Sequence, residues 1–159
     1  MPDFTQFTSS FGFVEMTFAW RLVVAMVLGA CLGLERSLAG KHAGMRTYSL
    51  VSLGSATLVI VGTLASYQLS MFSGVNPLQI AGSIVIGIGF IGSGLAALRG
   101  DHPAELTTAA GIWAVAAIGM ACGFGLYIIA ITATVLSIIV FTFLSKLEYR
   151  LRTQWGKDN

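Results

Sequence analysis

The ionisable residues gather at a few points along the chain. Glu35 and Arg36 stand together, Arg46-Thr47 follows them, and Arg99, Asp101 and Glu105 form a third group. Ionisable groups at membrane depth are functional candidates by default, because each must find a partner or a water-filled cavity. These residues could therefore form one ion-paired cluster. The plainer alternative is an interfacial salt-bridge network that pins helix ends, with snorkelling Arg side chains. His42 and His102 lie near the same carboxylates in sequence, so a divalent-metal site is conceivable. Hard cations want oxygen ligands, however, and no Asp/Glu spacing here resembles a dedicated cage. No metal and no cofactor are expected. No Ser/His/Asp, Cys/His or HExxH arrangement occurs, so no catalytic residue is assigned and the chain is not expected to be an enzyme.

One motif misleads. Gly87-Ile88-Gly89-Phe90-Ile91-Gly92 matches the dinucleotide-binding fingerprint. That fingerprint works after a strand, at a helix N-terminus, with an acidic residue about 20 positions on. Here it sits inside an apolar run, and nucleotide binding is rejected.

The elements that carry these residues are apolar. The chain is 55% hydrophobic and 10% charged, against about 25% charged in a soluble domain. Its mean hydropathy is +0.82. A soluble fold of this length cannot hide so much apolar surface, so the lipid bilayer must solvate it. A net charge of +2 implies no basic surface for nucleic acid. Cys31 and Cys122 lie in apolar runs and read as small packing residues. No Lys or Arg precedes Arg21, so the first apolar run lacks a secretory n-region and is expected to persist.

A spanning helix needs roughly 20 apolar residues. Five stretches qualify: Phe18 to Leu34, Tyr48 to Phe72, Ile80 to Leu98, Thr107 to Cys122 and Phe124 to Leu144. The expected fold is an all-α integral membrane protein, a bundle of five transmembrane helices in one domain over residues 1–159 with no soluble domain. The fourth span is short and rich in Ala and Gly, a candidate thin or tilted span. Asn76-Pro77 opens the third helix, with Asn as N-cap and Pro at N1. Gly123-Phe124-Gly125 predicts a tight hairpin, because one helix from Thr107 to Leu144 would be roughly 55 Å long against a core of about 30 Å.

Basic residues set the orientation. Arg36, Lys41 and Arg46, then Arg99, then Lys146, Arg150, Arg152 and Lys157 all fall on one side of a five-span chain. The positive-inside rule places the N-terminus outside and the C-terminus inside. Arg21 lies roughly 20 Å along its helix from the inner end. Beside Trp20 it reads as an Arg snorkelling to the outer interface; the alternative is a buried Arg paired with a carboxylate or a helix C-terminus. Trp113 falls mid-helix, where a packing role is expected.

Small residues recur at helical spacing: Ala25, Gly29 and Gly33 in the first span; Ser83, Gly87, Gly89, Gly92, Ser93, Gly94 and Ala97 in the third; Ala110, Ala114, Ala117 and Ala121 in the fourth. Such ridges let helices approach closely in lipid. A tightly packed bundle is expected, with neighbouring backbones pressed on Gly89. The alternative is a third helix unwound to line a polar cavity.

Several ordered blocks carry a family resemblance. They are Gly33-Leu34-Glu35-Arg36, Ala43-Gly44-Met45-Arg46-Thr47, Leu50-Val51-Ser52-Leu53-Gly54, the Gly87-to-Gly94 block, and Leu106-Thr107-Thr108-Ala109-Ala110 with Trp113 and Ala117-Ile118-Gly119. With Arg21 they resemble the MgtC/SapB family of bacterial membrane proteins, from Arg21 to about Ala130. The resemblance implies an inner-membrane location and links to low-magnesium growth, acid or phosphate stress and virulence. It also implies restraint of the ATP synthase as one partner reading. Glu105 departs from the family's usual Gly, Asn76-Pro77-Leu78-Gln79 stands where an Asp…Arg pattern is common, and the family's longer members carry a soluble C-terminal domain not expected here. The residues carried forward as candidates are Arg21, Glu35, Arg36, Arg46, Thr47, Gly87, Gly89, Gly92, Gly94, Arg99, Glu105, Thr107, Thr108 and Trp113. Two functions compete: a non-enzymatic regulator acting by contact with other membrane proteins, with homo-oligomers possible, and a small ion or solute transporter with a charged cytoplasmic mouth.

Overall fold

The computed structural model describes the backbone of residues 4–68, 76–99, 103–147 and 150. Among these residues the chain forms α1 (Phe4–Leu38), α2 (Met45–Gln68), α3 (Pro77–Arg99), α4 (Pro103–Gly123) and α5 (Tyr127–Ile139), which continues into a π-helical turn at Val140–Leu144. Five segments are long and apolar enough to cross a membrane: Glu15–Leu38, Met45–Ser66, Leu78–Leu95, Leu106–Gly123 and Tyr127–Leu147. The five expected spans are therefore present, with ends shifted by a few residues. The expected end of the second span, at Phe72, lies outside the described residues.

Local chemistry sets the helix ends. Asn76 caps α3: its Oδ1 accepts from Leu78 N at 2.9 Å, and Pro77 occupies N1 where no amide is missed. Two helices end alike. After α1, Gly40 N donates to Ser37 O (3.1 Å) and Lys41 N to Arg36 O (3.0 Å), with Gly40 at φ 67°. After α4, Gly125 N donates to Cys122 O (2.9 Å) and Leu126 N to Ala121 O (2.8 Å), with Gly125 at φ 80°. Both are Schellman motifs, which consume carbonyls that lipid cannot satisfy and require a left-handed residue that glycine supplies. The predicted α4–α5 hairpin follows directly from the second.

The core is built by α1, α2 and α4 around Ser52. Its hydroxyl, fully buried, donates across the interface to Ala25 O at 2.7 Å. Gly119 of α4 lies on the Ser52 backbone, and Gly29 of α1 lies against Tyr48 O and Ser52 Cβ, where a methyl would sit at 2.7–2.8 Å. Other hydroxyls are satisfied inside their own helices: Thr57, Thr63, Ser66, Thr134 and Thr142 each donate to the carbonyl four residues back. That is how polar residues persist in spans. Half of the α4 span is buried, against 17% of the α3 and α5 spans. The fourth segment is thus the central helix rather than a thin or marginal one. Its Ala and Gly let all four other helices reach it.

Candidate functional site

The clearest concentration of unusual features lies where α1 ends. Arg36 is 3% exposed and pairs with its sequence neighbour Glu35, through Nε and through Nη2 to Oε1 at 2.7 Å. Adjacent residues diverge around a helix, so the guanidinium must fold back along α1 to meet that carboxylate. Beneath it lies the Phe141 ring, 3.8 Å from the guanidinium carbon, a cation–π stack strengthened by desolvation. Phe141 is buried and belongs to the π-helical turn of α5. Such turns insert one extra residue per turn and often mark functional sites.

Tyr48 enters the same place from α2. Gly33 of α1 makes room for it, with Tyr48 Cβ 2.9 Å from where a Gly33 methyl would stand. The Tyr48 ring is wholly buried and its hydroxyl ends against Gly111 of α4, where an added methyl would also lie 2.8 Å from Phe141 Cζ. Thr108, one turn before Gly111, is 2% exposed. The Tyr48 hydroxyl has no hydrogen-bond partner among the described residues. A phenol in this position is a free donor beside a neutralised charge pair. Loss of either partner of the Glu35–Arg36 pair would leave the other's charge buried.

Toward the other end of the first membrane span, Glu15–Leu38, lies a second device. Arg21 Nη1 donates to Gly123 O at 2.8 Å, and its guanidinium lies 5.3 Å from the Phe18 ring centroid. Phe124 N takes Met120 O, and the Schellman amides take Ala121 O and Cys122 O. With Arg21 on Gly123 O, all four final carbonyls of α4 are satisfied. The cation also complements the negative end of the helix dipole. Of the two expected readings, snorkelling or pairing with a helix C-terminus, the geometry shows the second: Arg21 caps the C-terminus of α4.

The sequence candidates divide accordingly. Glu35 and Arg36 come together, and Thr108 is buried one turn before Gly111. Arg46 is exposed and Thr47 half-buried, and neither has a place in the ion pair. Asp101 and His102, and the side chains of Arg99 and Glu105, lie outside the described residues. Thr107 is exposed beside buried Thr108. Among the described residues no three His, Cys, Asp or Glu side chains gather. Trp113 corrects the packing expectation: it is 53% exposed on the outer face of α4, while its neighbour Ile112 is buried. Cys31 likewise faces outward rather than into the core, and Cys122 is buried. Tyr48, Gly111 and Phe141 were not singled out from sequence. The one available signal was the small-residue spacing that places Gly111 two turns before Gly119.

The third helix gives the largest correction. It is continuous from Pro77 to Arg99, so it is not unwound. Yet neighbouring backbones do not press on Gly89. A methyl at Gly82, Gly87, Gly89 or Gly94 would meet nothing within 4 Å, and one at Gly92 would make an ordinary 3.6 Å contact with Ala109 Cβ. Between α2 and α3 runs an apolar groove of about 500 Å³, lined by Gly54, Ser55 and Leu58 on one wall and Ser83, Gly87 and Ile91 on the other. α2 and α3 close on each other at Gly62 and Ile80.

Five apolar spans, satisfied polar backbone and a buried ion pair define a multi-pass α-helical membrane protein. The chain belongs to the MgtC family, whose model matches residues 22–150. It is 38% identical to the putative magnesium transporter YhiD of Escherichia coli, over 84% of this chain and 63% of that protein. It is 40% identical to protein MgtC of Brucella abortus over 84% of this chain and 53% of that one. It is 35% identical to protein SrpB of Synechococcus elongatus over 87% and 82%. The chain thus spans between half and two thirds of the first two relatives. No solved structure matches it.

Proposed function

We propose that this protein is a non-enzymatic regulator of the bacterial inner membrane, acting by helix contacts with other membrane proteins. The observation that carries this reading is the outer face of α3, whose glycines touch nothing in their own chain while those of α1 and α4 are filled. The packing supports it too: the groove beside α3 is apolar, and the Ser52 hydroxyl and the Glu35–Arg36 pair of the α1–α2–α4 core are taken up by pairing. One relative's name, the putative magnesium transporter YhiD, lends magnesium as the setting, and the family resemblance implies stress adaptation, with the ATP synthase as one candidate partner. The positive-inside rule supports an N-terminus outside and a C-terminus inside. Alkaline phosphatase fused after Asn159 is then expected to be inactive, and strong activity would reverse the orientation.

Purified protein in proteoliposomes tests the regulator reading. No flux of Mg²⁺, protons or phosphate above empty vesicles is expected. The competing transporter reading draws on the unpartnered Tyr48 hydroxyl beside the buried Glu35–Arg36 pair. Saturable flux that Glu35→Gln abolishes would establish it in place of the regulator.

A further inference from the structure

Two ridges of α2 wall the groove between α2 and α3, and both run out at the α2 N-terminus. Arg46, Leu50, Gly54 and Leu58 follow four apart, and so do Thr47, Val51 and Ser55. Arg46 and Thr47 therefore stand one turn beyond the groove residues on the same face. Each brings donors that nothing takes up. Met45 N donates to Ser37 Oγ at 3.0 Å and Tyr48 N to Gly44 O at 3.1 Å, but the amides of Arg46 and Thr47 have no acceptor among the described residues. The exposed Arg46 guanidinium and the Thr47 hydroxyl have no partner among them either. A helix N-terminus carries partial positive charge, and Arg46 adds a full one. The groove thus runs out at a cationic end whose free donors suit a phosphate.

The groove sets the rest of the ligand. Gly54 and Gly87 stand on opposite walls, and a methyl on either would meet nothing within 4 Å, so the two glycines keep it open. Its far end lies where α2 and α3 close at Gly62 and Ile80. From Arg46 to Leu58 is roughly 18 Å along α2, close to the depth of one leaflet, half of a core of about 30 Å. A spanning helix needs the whole core, so a groove that stops halfway does not seat one. An acyl chain of one leaflet has the matching length. Leu50 and Leu58 are exposed along the open side, where such a chain enters from the bilayer. Ser55, 3% exposed on the wall, requires no polar ligand, because its hydroxyl can turn to the carbonyl four residues back, as those of Thr57 and Thr63 do.

We propose that an anionic phospholipid binds here, its phosphate on Arg46 and Thr47 and one acyl chain between α2 and α3. The site is apart from the outer α3 face that carries the proposed function, and it stands or falls separately.

The test titrates the full chain, purified in mild detergent, with dioleoyl phosphatidylglycerol or dioleoyl phosphatidylcholine and reads binding by native mass spectrometry. The native chain is expected to hold one phosphatidylglycerol about fivefold more tightly than phosphatidylcholine, the worth of one cation near an anionic headgroup. Arg46→Ala should erase that preference. Gly87→Leu, or Gly54→Leu from the opposite wall, should fill the groove and weaken both lipids at least about tenfold. Gly82→Leu, another position where a methyl meets nothing but off the groove, should bind both lipids like the native chain. Melting temperatures of the three leucine variants separate lost binding from lost folding. A preference that survives Arg46→Ala would overturn the proposal, as would lipid binding that survives both groove fillers. Loss of binding in Ser55→Ala but not in Arg46→Ala would also overturn it, by placing an uncharged polar ligand in the groove. So would a dimer in lipid-free detergent that Gly87→Leu dissociates, by placing a second copy there. The flux assay of the regulator reading is independent of all these outcomes.

Discussion

Gly119 and Gly89 each lie within an apolar helix, each beside small neighbours, and each matches a family block. In the folded chain they part completely. Gly119 lies on the backbone of Ser52 with no room for a methyl, whereas Gly89 faces open space. Lipid tails are as apolar as a protein core, so glycine in a span is not placed by hydrophobicity but by what must come near it. In α4 that neighbour is α2 of the same chain. At Gly89 of α3 no described residue lies within 4 Å of an added methyl, and an exposed glycine in a helix costs about 1 kcal/mol relative to Ala. Gly82 and Gly89 share one face of α3, and there internal packing does not offset that cost.

Gly119→Leu breaks this comparison if it is wrong. The side chain would have to displace the Ser52 backbone and with it the Ser52–Ala25 hydrogen bond. A loss of more than about 3 kcal/mol, the upper end for overpacking, or no folded protein at all, is expected in thermal unfolding monitored by size-exclusion. Melting like the wild type would mean that α2 and α4 do not meet there.

Arg21→Leu comes next in size. It strands the Gly123 carbonyl and removes a charge-assisted bond, for a loss of about 1.5–3 kcal/mol. Arg21→Lys should recover part of it, since a cation still favours that helix end. Equal stability of all three forms would return Arg21 to a simple interfacial role.

Tyr48→Phe sharpens the picture of the core. The hydroxyl it deletes is buried without a partner, so the variant should be neutral or up to about 1 kcal/mol more stable. A clear loss would reveal a bound water or ion that the hydroxyl serves. The smallest effect is expected from Gly89→Ala. In dilute detergent, as a monomer, it should gain a few tenths to about 1 kcal/mol from helix propensity. A loss would show that a neighbour does press on α3.

Much of this architecture was legible. Hydropathy marked the five spans, Asn76-Pro77 marked the start of α3, and the Gly123-Phe124-Gly125 run marked the hairpin, because each reflects a local backbone requirement. The facing of each helix was not. Ile112 and Trp113 are adjacent and both apolar, yet one is core and the other points to lipid. Polar contrast, the usual guide to a helix's inner face, is absent when both environments are apolar. The Glu35–Arg36 pair was readable because charge at that depth demands a partner. Tyr48 and Phe141 were not, since aromatic residues fit core and lipid equally well.

The reach of Arg21 across 102 residues to Gly123 has a consequence in time. During synthesis α1 leaves the ribosome long before α4 exists. At about 5–20 residues per second, the guanidinium waits roughly 5–20 s for its acceptor. In that interval a charge on the first helix can settle only near the water boundary. The first helix thus enters the bilayer held by one end, and takes its final depth only when the hairpin that ends α4 arrives to receive it.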